Sequence, residues 1–212
     1  MNTIVMKFGG TSVAGTEKLR NIADIVNNEV KNNKIIVVLS AMAGETNKLQ
    51  SYLDDFASEY SLESDLVLTS GEQVTIGLLS AELKNKGIKS IPLLGWQIPI
   101  ITDDSHEKAK ILHIDKKRIE KFFEKNDVIV LAGFQGISLD GEITSLGRGG
   151  SDTTAVAIAS SVDAKRCDIY TDVDGVYTTD PNIDQNAKKI HKMSYEEMLE
   201  MASTGSKVLH TR

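Results

Sequence analysis

Residues 35–39 constrain the fold of this chain more than any other stretch. The run Ile-Ile-Val-Val-Leu is apolar throughout and rich in β-branched side chains, so a strand formed here has to be buried on both faces. Strands of that kind belong to parallel sheets whose two faces are covered by helices. Further apolar runs recur at 3–8, 88–94, 128–132 and 168–171. These runs predict an α/β fold with a mostly parallel central sheet.

Amphipathic segments alternate with the strands and show the 3.6-residue spacing of helices. We predict helices over 16–30, 47–56, 71–86 and 116–124, and another from 151 onward. Thr16 is expected to cap the first helix, and Phe56 is expected to face the core from the second. Residues 135–147, with an internal Asp-Gly, are typical of a β-hairpin. Pro92 favours either an edge strand or the end of a strand.

Composition is that of an ordinary globular protein with one large domain, or one domain and part of another. The chain has 212 residues, 41% hydrophobic and 25% charged, with a formal net charge of −6. This acidic balance argues against nucleic-acid binding. The single cysteine, Cys167, excludes an intrachain disulfide and a cysteine-only metal site. Neither a signal pattern nor an apolar run of about 20 residues is present, so we expect a cytoplasmic protein without membrane association.

Residues 145–154 form the most distinctive loop of the sequence. They read Ser-Leu-Gly-Arg-Gly-Gly-Ser-Asp-Thr-Thr and combine a guanidinium, three glycines, hydroxyls and a carboxylate. Glycines let backbone N–H groups converge, and the helix predicted next adds partial positive charge at its N-terminus. The pattern suits a phosphate group lying beside a carboxylate substrate. A glycine-rich turn with Ser or Asp as the helix N-cap is the alternative.

Polar and glycine-rich residues also follow the predicted strands. Residues 7–10, Ser40, Gly133 and residues 171–172 all fall at or just after strand ends. Ligands bind at the carboxyl ends of the strands of such sheets, so we expect these residues to share one edge. The chain lacks the G-x-x-x-x-G-K-[ST] phosphate loop and the protein-kinase motifs. A nucleotide would therefore be held by a different geometry.

Several longer strings carry a family resemblance. They are Val-Met-Lys-Phe-Gly-Gly-Thr-Ser at 5–12, Leu-Ser-Ala-Met-Ala-Gly-Glu-Thr-Asn at 39–47, Ser-Gly-Glu-Gln at 70–73, the loop over 145–154, Ile-Tyr-Thr-Asp-Val-Asp-Gly-Val-Tyr-Thr-Thr-Asp-Pro at 169–181, and Lys-Val-Leu-His at 207–210. In this order they strongly resemble the amino-acid kinase family, and within it the aspartokinases, over the whole chain. The resemblance implies a three-layer αβα sandwich, carbamate kinase-like in architecture. It also implies ATP-dependent phosphorylation of the L-aspartate side chain to 4-phospho-L-aspartate, the first step toward lysine, threonine and methionine.

The resemblance assigns catalytic roles to two residues. Lys7 would stabilise the transferring phosphoryl group, and Asp152 would organise the catalytic lysines. Because an aspartate side chain is already ionised at pH 7, no general base is needed, and catalysis would depend on positioning and cations. A solvated lysine at a strand end is the alternative for Lys7.

The resemblance further implies that ATP binds with Mg²⁺, which would bridge the phosphates and keep several waters; no protein ligand of the metal is assigned. The implied nucleotide-binding residues are Lys7, Phe8, Gly9, Gly10, Ser40, Thr171, Asp172, Tyr177 and Lys207. A strand ending in a turn is the alternative for residues 171–172, and a surface lysine is the alternative for Lys207.

The implied substrate-binding residues are Thr46, Glu72, Arg148, Gly149, Gly150 and Ser151. Arg148 offers a fork of donors for the α-carboxylate of the amino acid. Glu72 offers an acid for its α-ammonium group, and Ser151 is expected where nucleotide and amino acid meet. Stabilisation of a helix N-terminus is the alternative for Glu72, and an N-cap role is the alternative for Thr46.

Two residues depart from the family pattern. Asn182 stands where many relatives carry arginine, which puts one cationic nucleotide contact in doubt, and Thr211 stands where proline is common. Because the family continues past this point, we expect residues 1–212 to be an incomplete catalytic domain. Such a chain would lack the regulatory ACT domains and the dimerisation that these give to full-length oligomers. A kinase for glutamate, carbamate or a nucleoside monophosphate, and an inactive nucleotide-binding fragment, are the alternative functions.

Overall fold

The computed structural model describes residues 2–56, 62–172, 175–179 and 183–203. Its strands are β1 (Asn2–Phe8), β2 (Asn33–Leu39), β3 (Ser90–Leu93), β4 (Ile100–Thr102), β5 (Ile111–Ile114), β6 (Val128–Ala132), β7 (Gln135–Ile137), β8 (Ile143–Ser145), β9 (Arg166–Tyr170), β10 (Val176–Tyr177) and β11 (Lys189–Ile190). Its helices are α1 (Thr16–Glu29), α2 (Glu45–Asp54), α3 (Leu62–Leu68), α4 (Gly71–Asn85), α5 (Lys116–Phe123), α6 (Gly150–Ser161) and α7 (Tyr195–Ser203). The chain forms two compact units, Met1–Tyr170 and Thr171–Arg212.

A five-stranded parallel sheet is the centre of the first unit. Its strand order is β3-β6-β2-β1-β9, and every neighbouring pair is parallel. The apolar run in β2 is fully buried at the middle of the sheet. β3, which contains Pro92, lies at an edge. The predicted parallel sheet and the edge alternative for Pro92 are both confirmed.

Helices cover both faces of this sheet, as the apolar runs require. Alternate residues of a strand point to opposite faces, so Val37 belongs to one core and Val38 to the other. The first core is completed by α1 and α4, for example through Leu79. The second is completed by α5 and α6, through Ile119 and Ile158. The predicted three-layer αβα sandwich is therefore confirmed.

Two local predictions about the helices are wrong. Thr16 is the first residue of α1, not its cap; Gly15 occupies the N-cap position, and no side chain caps the helix. Phe56 lies beyond the end of α2 and is 92% exposed, so it does not face the core. In α2 the inward position is taken by Leu53, which is buried.

A second sheet was not predicted. Its order is β5-β4-β7-β8, with β4 and β7 parallel and the other pairs antiparallel. The hairpin of β7 and β8 confirms the prediction for residues 135–147. β4 and β5 have only 3 and 4 residues, too few to show an alternating pattern. α3, which packs against β8, was also missed because it is short. Its 7 residues make only about two helical turns, too few to show a clear helical period.

The second unit contains a short hairpin and a helix. β10 and β11 pair in antiparallel fashion. α7 follows a capping box, in which Ser194 Oγ accepts from the Glu197 N–H at 3.2 Å and Glu197 Oε2 accepts from the Ser194 N–H at 2.7 Å.

Among the described residues, no helix is both long enough and apolar enough to cross a membrane.

Candidate active site

Loops at the carboxyl ends of β1, β2 and β6, together with the first turns of α2, α4 and α6, line one cavity of about 340 Å³. Most of the predicted site residues line this cavity, namely Lys7, Gly10, Ser40, Thr46, Glu72, Arg148, Gly149, Gly150, Ser151 and Asp152. They come from distant parts of the sequence. The parallel sheet brings them together because its strands all end at the same edge.

Lys7 and Asp152 form an ion pair at the wall of this cavity. Lys7 occupies β1 between Val38 of β2 and Ile169 of β9, and only 7% of the residue is exposed. Its Nζ lies 2.7 Å from Asp152 Oδ1, in the first turn of α6. The alternative of a solvated lysine is therefore wrong. A buried ammonium held by one carboxylate is fixed in direction.

Glu72 is a buried acid at the start of α4. Only 3% of the residue is exposed, and its Oε1 accepts a hydrogen bond from the backbone N–H of Ala41 at 3.0 Å. Its Oε2 is buried and has no hydrogen-bond partner among the described residues. Burial raises the pKa of the Glu72 carboxyl to about 7, against the lowering effect of the Ala41 hydrogen bond. A buried carboxyl group with one unpartnered oxygen can bind a cation that enters the cavity.

The loop before α6 ends in glycine without a side-chain cap. Gly149 is the N-cap, in the left-handed conformation with φ 75°, and no side chain caps the helix. The alternative of a Ser or Asp cap is therefore wrong. A side chain on Gly133 would put its Cβ 2.7 Å from Ser151 Oγ. The end of β6 thus packs directly against the first turn of α6, and Ser151 of that turn is buried at the contact.

Arg148 and Thr46 occupy more open positions. Arg148 is exposed and lines the cavity, so its guanidinium is available to an incoming anion. Thr46 is half-buried in the first turn of α2 and also lines the cavity. The N-cap of α2 is Gly44, and no side chain caps this helix. The alternative of an N-cap role for Thr46 is wrong.

Phe134 is a lining residue that sequence reasoning missed. It is a bulky residue with φ 69°, a left-handed conformation that costs about 1–3 kcal/mol and persists only where the surroundings enforce it. It directly follows Gly133, which was placed at a strand end, so its position was a usable signal. The other lining residues without a predicted role are Ala41, Met42, Ala43, Gly44, Asn47 and Gly147.

Some predicted nucleotide-binding residues lie elsewhere. Phe8 is buried, its ring stacks on Tyr170 with centroids 4.4 Å apart, and its carbonyl accepts a hydrogen bond from the Ser40 N–H at 3.3 Å. Gly9 is not among the lining residues; its N–H donates to the carbonyl of Tyr170 at 3.2 Å. Residues 171–172 and Tyr177 belong to the second unit. Their nucleotide contacts stay predictions.

Three positions noted in the sequence, Lys207, Asn182 and Thr211, lie outside the described residues. The described residues contain no group of three or more His, Cys, Asp or Glu side chains that could hold a metal ion.

Comparisons with known proteins agree with this fold. Aspartokinase III of E. coli, solved with aspartate and ADP, superposes with a TM-score of 0.84 at 28% identity, covering 99% of this chain and 58% of that one. Aspartate kinase of Synechocystis gives a TM-score of 0.83 at 40% identity, covering 98% of this chain and 35% of that one. Aspartokinase of Rickettsia felis is 49% identical over 217 residues, covering 100% of this chain and 54% of its own length.

The chain thus spans about half the length of the curated relatives that it matches. The family model described as "Amino acid kinase family" matches residues 2–212. Since this match runs through every strand and helix described above, the chain belongs to the amino acid kinase family.

Proposed function

We propose that this chain carries the site of an ATP-dependent kinase that phosphorylates the side-chain carboxylate of L-aspartate. The observation that carries the proposal is the ion pair of Lys7 and Asp152, 2.7 Å apart at the wall of a cavity. The aspartokinases among its relatives support the choice of acceptor. The pair supplies a fixed cation beside a glycine-rich helix N-terminus, which suits a transferring phosphoryl group.

The reaction needs no base on the protein. The acceptor carboxylate is ionised at pH 7, so one of its oxygens attacks the γ-phosphorus of ATP, the bond to the β,γ-bridging oxygen breaks, and ADP leaves. The difficulty is the repulsion between the two anions. Lys7 offsets this repulsion, and Asp152 holds the Lys7 ammonium in place.

The amino acid would be held through its α-groups. The exposed guanidinium of Arg148 suits the α-carboxylate as a two-donor fork. The unpartnered Oε2 of Glu72 suits the α-ammonium, and a bound ammonium would return the Glu72 carboxyl to its ionised form. Thr46 and the residues from Gly149 to Ser151 complete the acceptor side.

The second substrate is the Mg²⁺ complex of ATP. Residues 9–10 and Ser40 are the proposed contacts in the first unit, and the nucleotide contacts of Thr171, Asp172 and Tyr177 stay predictions from the sequence. A cytoplasmic location stays a prediction.

The proposal is tested by trapping the acyl phosphate. The chain is incubated with MgATP and L-aspartate in hydroxylamine, and the hydroxamate and ADP are quantified together. We expect equal amounts of both, with a full-length aspartokinase as the positive control. L-Glutamate is run in parallel; hydroxamate from glutamate alone would reassign the acceptor. If calorimetry shows that ATP binds but neither acid gives hydroxamate, the chain is an inactive nucleotide-binding domain and the proposed kinase function is wrong.

A further inference from the structure

The hydroxyl of Thr154 joins two parts of the cavity wall. Thr154 lies in α6 and is completely buried. Its Oγ1 accepts a hydrogen bond from the backbone N–H of Phe134 at 3.1 Å and donates one to the carbonyl of Gly150 at 2.9 Å. One hydroxyl thus ties the turn after β6 to the first turn of α6. Thr154 itself does not line the cavity.

Phe134 is held in its left-handed conformation from several sides. Besides the bond to Thr154, its carbonyl accepts from the N–H of Leu146 at 2.9 Å. A Cβ on Gly150 would lie 2.8 Å from Phe134 Cδ2, so the ring packs closely against the backbone of α6. A bulky residue stays in this conformation only where its surroundings enforce it. The Thr154 bond is the one side-chain hydrogen bond to this backbone that the described residues provide.

The tie lies on the side of the cavity that we assign to the acceptor. Phe134 and Gly150 both line the cavity, and Ser151 follows in the same turn. If the Thr154 hydroxyl is removed, the Phe134 N–H loses its partner at a partly buried position. We then expect the Phe134 backbone to relax from its strained left-handed conformation. The Phe134 ring, which packs against Gly150, moves with it.

We propose that Thr154 is a positioning residue for the phosphoryl acceptor, acting through the backbone of Phe134 and the first turn of α6. The proposal rests on the proposed function for the identity of the acceptor. We expect a larger effect on the KM for L-aspartate than on the KM for ATP, because Phe134 and Gly150, which the hydroxyl ties together, lie on the acceptor side of the cavity.

The test compares three variants by hydroxamate formation. Thr154→Val keeps the shape and removes both hydrogen bonds; Thr154→Ser keeps the hydroxyl. Thr144→Val is the matched control: Thr144 is also completely buried, and its hydroxyl bonds to Thr102 at 2.6 Å, away from the cavity lining. For Thr154→Val we expect a rise of about tenfold in the KM for aspartate, with the KM for ATP within about twofold of the parent. Thr154→Ser restores the parent KM, and Thr144→Val does not change it.

Hydrogen exchange at the Phe134 amide gives a second measurement that needs no activity. We expect exchange to accelerate in Thr154→Val and to stay at the parent rate in Thr144→Val. If the parent forms no aspartyl hydroxamate, the proposed function fails, and this exchange rate alone decides whether Thr154 holds the Phe134 backbone. Unchanged exchange in Thr154→Val overturns the proposal. An unchanged KM for aspartate in an active parent, or an equal rise in both KM values, overturns it as well.

Discussion

The Nζ of Lys7 lies 2.7 Å from Oδ1 of Asp152, which joins the end of a central strand to the first turn of a helix. The two residues are separated by most of the first unit along the chain. Their side chains are 9% and 19% exposed, so the pair is largely shielded from water, yet both residues line the cavity. A cation fixed in this way loses little freedom when an anionic substrate arrives, which is what electrostatic catalysis requires.

Replacement of Lys7 by alanine is expected to lower kcat about 10²- to 10³-fold, because one preorganised positive donor is lost from the transition state. Hydroxamate formation at saturating MgATP and aspartate measures this change. Lys34→Ala is the matched control: Lys34 also pairs with an aspartate, Asp127, at 2.8 Å, but outside the cavity lining. A Lys7→Ala variant with more than half of the parent rate would remove Lys7 from the mechanism.

The fold and the placement of Lys7 and Ser40 at one sheet edge could be predicted from the apolar strands, whereas the other candidate site residues were assigned by the family resemblance. The apolar run in β2 requires a sheet covered on both faces, and in such a sheet Lys7 and Ser40 reach the same edge from adjacent strands. The sequence of residues 145–154 placed Asp152 at the start of a predicted helix. Neither prediction needed the packing of individual side chains.

What could not be predicted depends on contacts between segments. The left-handed backbone of Phe134 is set by Thr154 and Leu146, which are distant along the chain. The predicted cap at Thr16 and the alternative of a cap at Thr46 both failed because glycines take the N-cap positions. A cap preference is only a weak guide when the preceding glycine already turns the chain.

The pKa of Glu72 predicts how stability varies with pH. Burial raises it from 4.5 in a free side chain to about 7. Between these values the folded protein holds a proton that the unfolded chain has released, so the free energy of unfolding falls as pH rises through this window. The total fall is about 3 kcal/mol, since each pKa unit is worth about 1.4 kcal/mol. Urea unfolding of the parent between about pH 4 and pH 8 measures it.

Glu72→Gln is the control for this pH dependence, because an amide keeps the shape and does not titrate. Its stability should lack the fall attributed to Glu72 over the same range. Parallel pH curves for parent and variant would contradict the assignment of a raised pKa to this residue.

The KM for aspartate is expected to decrease as pH rises through about 7 in the parent, since only the ionised carboxylate of Glu72 attracts the α-ammonium. Steady-state kinetics with aspartate as the varied substrate, at each pH, measure this decrease. In Glu72→Gln the KM should be higher and nearly independent of pH in this range. A variant KM equal to that of the parent at pH 8 would exclude Glu72 from binding the ammonium.

Replacement of Asp65, which lies outside the cavity lining, is expected to lower the stability of the fold strongly. This carboxylate is completely buried and accepts hydrogen bonds from His106 Nδ1 at 2.7 Å, from the Glu107 N–H at 3.1 Å and from the Ser145 hydroxyl. Asp65→Ala leaves these donors unpaired, so we expect a loss of about 3–5 kcal/mol in the free energy of unfolding. Asp127→Ala, which removes a partly exposed ion pair with Lys34, should cost less than about 1 kcal/mol. Equal losses in the two variants would contradict the structural role of Asp65.

Two glycines predict opposite effects of the same substitution. A Cβ at Gly133 would lie 2.7 Å from Ser151 Oγ and 3.0 Å from Ser151 Cα, so Gly133→Ala has to displace the first turn of α6, and we expect it to lower both stability and hydroxamate formation. Gly77 lies inside α4, and a Cβ there meets nothing within 4 Å. Gly77→Ala should therefore raise the free energy of unfolding by about 0.5–1 kcal/mol, through the lower backbone entropy of the unfolded chain, without changing kcat. Urea unfolding and the hydroxamate assay, applied to both variants, give the comparison. A Gly133→Ala variant as active as Gly77→Ala would show that β6 and α6 need not approach this closely for catalysis.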